Sequence, residues 1–306
     1  MPHIVIIGDR ESGKTTFLAL LYAAQVKSGS DKEDSFRFHA AIDSMDEISG
    51  AFQQLMSGSF PDAFTKEGIR GITFHLSYRK PGLGILSRLR SRGWTPGAST
   101  SLHFILLRNL DEEMERFRRG SSLANTALRE VLESDAMAIL IDSTKLAAKD
   151  ENQPLGPTAP YDTSVESMLA VLERSGPHGG RRRLHPIFIF SKFDSVNPKV
   201  LRATGLEATP PDIRKTGART AYAEALLEHN LPKTVAKIRA RETRRKGLAA
   251  PAYFFSSVRT ERRAADPRPR VRLRRSDGAG WEPDYASDEY LALLECFWKI
   301  ATTARE

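Results

Sequence analysis

Near the N-terminus an apolar run, Ile4-Val5-Ile6-Ile7-Gly8, empties into a polar loop, and an apolar-periodic segment starts directly after Lys14-Thr15-Thr16. No other stretch restricts the fold as much. The loop GDRESGKT (8–15) fits the pattern G-x-x-x-x-G-K-[ST], whose chemistry needs a strand before it and a helix after it. Gly8 and Gly13 permit a turn that points successive backbone N–H groups inward, so that Asp9, Arg10, Glu11 and Ser12 wrap an anion. Lys14 adds a point charge and Thr15 a hydroxyl suited to a divalent cation. Thr16 stands in the first turn of the helix, whose positive end faces the same anion. The competing reading is a glycine-containing turn with a surface lysine.

Continuous apolar runs recur at 3–8, 102–107, 136–142, 186–194 and 252–258, with a half-exposed alternation at 69–78 and a short strand at 35–42. Between them the spacing predicts helices over 14–27, 44–58, 111–119, 121–133 and 163–176, two more within 210–247, and a closing one over 287–304. The second carries Ile48, Phe52, Leu55 and Met56 at helical spacing, with Ser44 and Glu47 as a capping-box pair. The Arg-, Pro- and Gly-rich segment 259–285 reads as a loop or hairpin. The expected fold is α/β with three layers, a mainly parallel central sheet with helices on both faces. Ligands bind such sheets at the carboxyl ends of the strands, so the polar tips at 8–15, 108–112, 142–145, 191–194 and 256–258 should share one edge.

Composition limits the setting. Of the 306 residues, 40% are hydrophobic, enough for a buried core, and the single cysteine, Cys296, excludes an internal disulfide framework. Neither a signal-peptide pattern nor a run of about 20 apolar residues is present, so a cytoplasmic protein with no transmembrane segment is expected. The net charge of +8 gathers in 79–93, 179–185, 237–246 and 259–275. Nucleic acid or an anionic membrane surface is the less favoured reading of that charge. No aromatics are interleaved as a stacking platform requires, and solvated Arg-rich faces are the plainer account.

Two later tips bear on the base of a nucleotide. Ser191-Lys192-Phe193-Asp194 follows an apolar strand. A carboxylate at Asp194 would accept from the N1–H and 2-amino groups of guanine, and adenine would leave it unpaired. The stem of Lys192 can cover a base face. In the turn Ser256-Ser257-Val258, backbone N–H groups would meet the guanine carbonyl oxygen.

In this order the loop GDRESGKT, SKFD and SSV resemble the motifs of a Ras-like P-loop GTPase over residues 8–258, with Ser191 where Asn or Thr is usual. The stretch ESGKT is similar to the phosphate loop of heterotrimeric G-protein α subunits. The spacing before GSFPDAFT looks more like the bacterial double-GTPase-type families. The resemblance implies GTP or GDP with Mg2+ held through Thr15 and a switch threonine, Thr65. It also implies one domain over 1–306 with insertions at about 27–68, 80–99, 197–250 and 259–285, and a protein effector or partner GTPase.

The family's D-x-x-G motif should follow LHFILL, but Arg108-Asn109-Leu110-Asp111-Glu112 stands there. In register, Arg108 replaces the acid and Asp111 the glycine. If Asp111 supports the metal and Glu112 or Glu113 orients a water, Lys14, Thr65, Asp111 and Glu112 form the catalytic set of a slow GTPase. If Arg108 takes the metal's place, nucleotide is held without turnover and the chain is an adaptor docking a partner through its basic inserts. An ATP-using P-loop enzyme is the third reading, and Asp142 would be its strand-end acid. In the Ras-like order Asp142 is instead a strand-end cap.

Overall fold

In β1 (His3–Gly8) the residues Ile4 and Ile6 enter one apolar layer and Val5 and Ile7 the other, all four fully buried. The computed structural model describes residues 2–28, 36–62, 69–78, 99–107, 126–148, 157–175, 183–240, 247–263, 266–275 and 280–303. In it β1 is the middle strand of seven, joined by β2 (Phe36–Ala40), β3 (Ile69–Tyr78), β4 (Ser99–Leu107), β5 (Ala136–Asp142), β6 (His185–Ser191) and β7 (Ala252–Phe255). Their order is β2-β3-β4-β1-β5-β6-β7. All run the same way except β3, which pairs antiparallel with both β2 and β4. Its first residue, Ile69, therefore lies opposite Leu107, the last of β4.

One face is covered by α1 (Lys14–Ser28), α2 (Ile42–Met56) and α8 (Ser287–Thr303), through Leu18, Leu21, Ile48, Leu294 and Phe297. The other is covered by α3 (Thr126–Leu132), α4 (Ala159–Ser175), α5 (Pro198–Ala203), α6 (Thr216–Asn230) and α7 (Pro232–Ala240), which supply Val165, Leu201, Leu226 and Val235 among others. The three-layer α/β expectation is met. Among the described residues no helix is long and apolar enough to cross a membrane.

One local expectation changes and another is made specific. The capping box at Ser44 and Glu47 does not form: α2 starts at Ile42, and Ala41 precedes it without a side-chain cap. Glu47 instead binds Arg70 of β3 at 2.6 Å, a tertiary contact that outweighs the local pattern. The segment 259–285 builds two small hairpins, β8 (Thr260–Arg263) with β9 (Asp266–Val271), and β10 (Leu273–Arg275) with β11 (Trp281–Pro283). Arg259, Arg272 and Arg274 converge on Asp284 at 3.8, 3.8 and 3.9 Å, and Arg274 also bonds Glu282 at 2.7 Å. Three of the eight arginines of 259–275 are thus met by carboxylates of the same unit.

Candidate functional site

The loop after β1 needs its two glycines for different reasons. A Cβ on Gly8 would stand 2.3 Å from the Ser12 hydroxyl oxygen and 3.1 Å from Cβ of Leu140. Gly13 has open space around it but a φ of +85°, which an L side chain resists. Glu11 adopts φ 65° without being glycine. Ser12 is fully buried beneath the turn and donates its N–H to the Asp9 carbonyl at 3.1 Å. Overpacking at Gly8 should cost about 1–3 kcal/mol. Gly8→Ala is accordingly expected to lower the urea unfolding midpoint, and an unchanged midpoint would show that the turn opens freely.

Helix α1 begins at Lys14 with no acidic residue in its first turn, so its positive end is left for an anion from elsewhere. The Lys14 ammonium donates to the carbonyls of Gly8 (2.7 Å) and Asp9 (3.1 Å), which places it across the loop's mouth. Thr15 and Thr16 are half-buried in that first turn, and Arg10 is exposed.

The exit turn of β5 joins this loop to the Ser191–Asp194 turn. Asp142, buried at the strand end, accepts from the Thr144 N–H (3.0 Å) and hydroxyl (2.6 Å) and caps the 3-10 turn Ser143–Lys145. Its other oxygen accepts from the Lys192 ammonium at 2.7 Å. The turn then delivers Lys145, whose ammonium bonds the Asp9 carboxylate and the Arg10 carbonyl, the latter at 3.2 Å. Burial works to raise the Asp9 carboxyl, but Lys145, the Arg10 N–H and the charge of Lys14 prevail and hold it below the usual range.

SKFD and SSV come together at the tips of β6 and β7. The Phe193 N–H donates to the Ser256 carbonyl at 3.0 Å, and the Ser256 N–H to the Phe190 carbonyl at 2.8 Å. Lys192 is left-handed, with φ 52°. The Asp194 side chain is on the surface, yet desolvation by the turn raises its carboxyl, against hydrogen bonds from its own N–H and from that of Val258. The hydroxyls of the two flanking serines are turned to the fold: Ser191 donates to the Ile141 carbonyl at 3.1 Å, and Ser256 pairs with the Tyr290 hydroxyl at 2.5 Å. Ser257 is half-buried beside them.

Behind this turn Arg219 is buried and bonds Glu289 at 2.6 Å, the Pro211 carbonyl at 2.8 Å and the Tyr253 carbonyl. Its guanidinium stands 4.8 Å over the Phe255 ring, and Glu289 accepts from the Phe255 N–H at 3.1 Å. Burial raises the Glu289 carboxyl and Arg219 opposes that. Arg219, Glu289, Phe193, Phe255 and Ser257 line part of a cavity of about 250 Å³ next to the turn.

The structure therefore brings the tips 8–16, 142–145, 191–194 and 256–258 to one sheet edge. Thr65, Arg108, Asp111 and Glu112 lie outside the described residues. Lys145 and the Arg219–Glu289 pair did not emerge from the sequence. Lys145 stood inside a recognised polar tip, but its partner is 136 positions away.

No protein-family model and no curated protein sequence matches the chain. Among solved structures it is similar to a chain of the signal recognition particle receptor SRb-GTP/SRX complex from Chaetomium thermophilum. That match has 13% identity over 83% of this chain and 90% of the other, with a TM-score of 0.39. It is also similar to the S. cerevisiae Ski7 GTPase-like domain bound to GDP and inorganic phosphate, at 13% identity over 82% of this chain and 43% of that one, with a TM-score of 0.34.

Proposed function

We propose that the chain is a guanine-nucleotide-binding protein, one Ras-like domain with insertions. The phosphates rest in loop 8–16, and the base lies between Lys192, Asp194 and the turn 256–258. One observation carries this reading. Among the described residues, the only non-glycine positions with positive φ are Glu11 and Lys192, one in each of these loops. Such backbone costs about 1–3 kcal/mol apiece and persists where a function requires it. The two strained loops are tied to the same β5 exit turn through Lys145 and Asp142.

The residues fit a polyphosphate. The turn is closed by Gly8, opened to left-handed φ at Gly13, and faced by the Lys14 ammonium and the start of α1. Mg2+, which neutralises phosphate oxygens, would be held by Thr15 and Thr65. With RNLDE in place of D-x-x-G, GTP hydrolysis is slow or absent, because phosphoryl transfer relies on positioned charge and an oriented water. In the latter case the chain serves as a nucleotide-holding adaptor for a protein partner.

Displacement of a bound fluorescent GTP analogue tests the base assignment. GTP and GDP are expected to compete, ATP on the order of a hundredfold less well, and Lys14→Ala to lose binding. Equal competition by ATP would remove guanine from the proposal. Single-turnover hydrolysis against the Lys14→Ala blank then separates a slow switch from an adaptor.

A further inference from the structure

An acid inside an anion-binding loop is a contradiction that the fold has to resolve. Within GDRESGKT the charges of Asp9 and Glu11 cancel those of Arg10 and Lys14. Asp9 is the more awkward acid, since its carbonyl receives the Lys14 ammonium and its carboxylate lies within electrostatic reach of that ammonium. A carboxylate loose at this point would repel phosphate and draw Lys14 aside.

We infer that Lys145 is a positioning residue of the phosphate loop: its ammonium holds and neutralises the Asp9 carboxylate, which would otherwise oppose a polyphosphate bound in the same loop. The inference rests on the proposed phosphate site. Two bonds carry it, to the Asp9 carboxylate and to the Arg10 carbonyl. The second ties Lys145 to the loop backbone as well as to the acid, and the Arg10 N–H holds the same carboxylate at 2.7 Å. Delivery is built in: the Asp142 cap on Thr144 sets the 3-10 turn that ends at Lys145.

Magnitude separates this role from a structural one. The side chains of Lys145 and Asp9 are 40% and 41% exposed. Exposed ion pairs add only about 0.2–1 kcal/mol to stability. Against a polyphosphate carrying several negative charges, an unmasked carboxylate acts on a far larger opposing charge. The pair therefore matters for the field in the loop and little for holding the fold.

The test compares wild type, Lys145→Met, Asp9→Asn/Lys145→Met and Lys14→Ala, using a fluorescent GTP analogue at low salt. Lys145→Met keeps the stem and is expected to weaken binding on the order of tenfold, with an unfolding midpoint close to wild type. Adding Asp9→Asn should restore most of that loss. Wild-type affinity in Lys145→Met, or a loss that Asp9→Asn does not repair, overturns the inference. Undiminished binding by Lys14→Ala would instead remove the phosphate-site reading itself, and this inference with it.

Discussion

Asn in place of Asp194 is expected to lower GTP affinity by about a hundredfold and to raise affinity for xanthosine triphosphate. The carboxylate would accept two hydrogen bonds from guanine, each charge-assisted and worth about 1.5–3 kcal/mol. An amide keeps one acceptor but turns its NH2 against the guanine 2-amino group. Xanthine has a carbonyl at that position, which the amide can serve. Competition binding with the two nucleotides reads the result directly, and an unchanged preference would show that Asp194 does not touch the base. Burial raises the Asp194 carboxyl, so in the unaltered protein guanine affinity should begin to fall at a higher pH than for an ordinary aspartate, as the acceptor is protonated. Asp194→Asn removes that limb of the pH profile.

The largest loss of stability is expected from Arg219→Met. Its side chain is 5% exposed and that of its partner Glu289 is 16% exposed. Removing the guanidinium strands a carboxylate that also accepts the Phe255 N–H. Breaking a buried pair from one side typically costs about 3–5 kcal/mol, a large share of the roughly 5–15 kcal/mol that holds a domain together. Arg219→Met/Glu289→Gln should recover much of the loss, because the neutral amide still accepts from Phe255 without the stranded charge. Urea unfolding midpoints decide it. A shift of less than about 1 kcal/mol in the single variant would mean that water reaches the pair.

Much of this architecture could be read from apolar runs. Strands β1, β5 and β6 are continuous because both of their faces are covered, and that same continuity announces parallel neighbours. The direction of β3 could not be read, since alternation over 69–78 reports a half-exposed face and says nothing of which way the chain runs. The loops that follow β1, β6 and β7 declared themselves by residue type. Lys145 did not, because a lysine three residues past a strand end has no local signature, and its meaning comes from Asp9 at the tip of the neighbouring strand. Ser44 and Glu47 carried a valid local pattern that Arg70 overrode. The arginines of 259–275 read as a solvated basic face, and the sequence did not show that Glu282 and Asp284 meet three of them. Short-range periodicity was legible, and pairings between distant charges were not.

The reversed strand carries a geometric consequence. Because Ile69 stands opposite Leu107, the chain arrives at β3 and departs from β4 at one rung of the ladder, on the edge where β1 ends. Thr65 is four residues before that rung and Asp111 four residues after it. Four residues of chain span at most about 14 Å, so that distance bounds how far Thr65 and Asp111 can lie from the shared rung. Both anchor points are fixed at that one rung, and the β1–β4 register ties the rung to the end of β1 where the glycine-bearing loop starts.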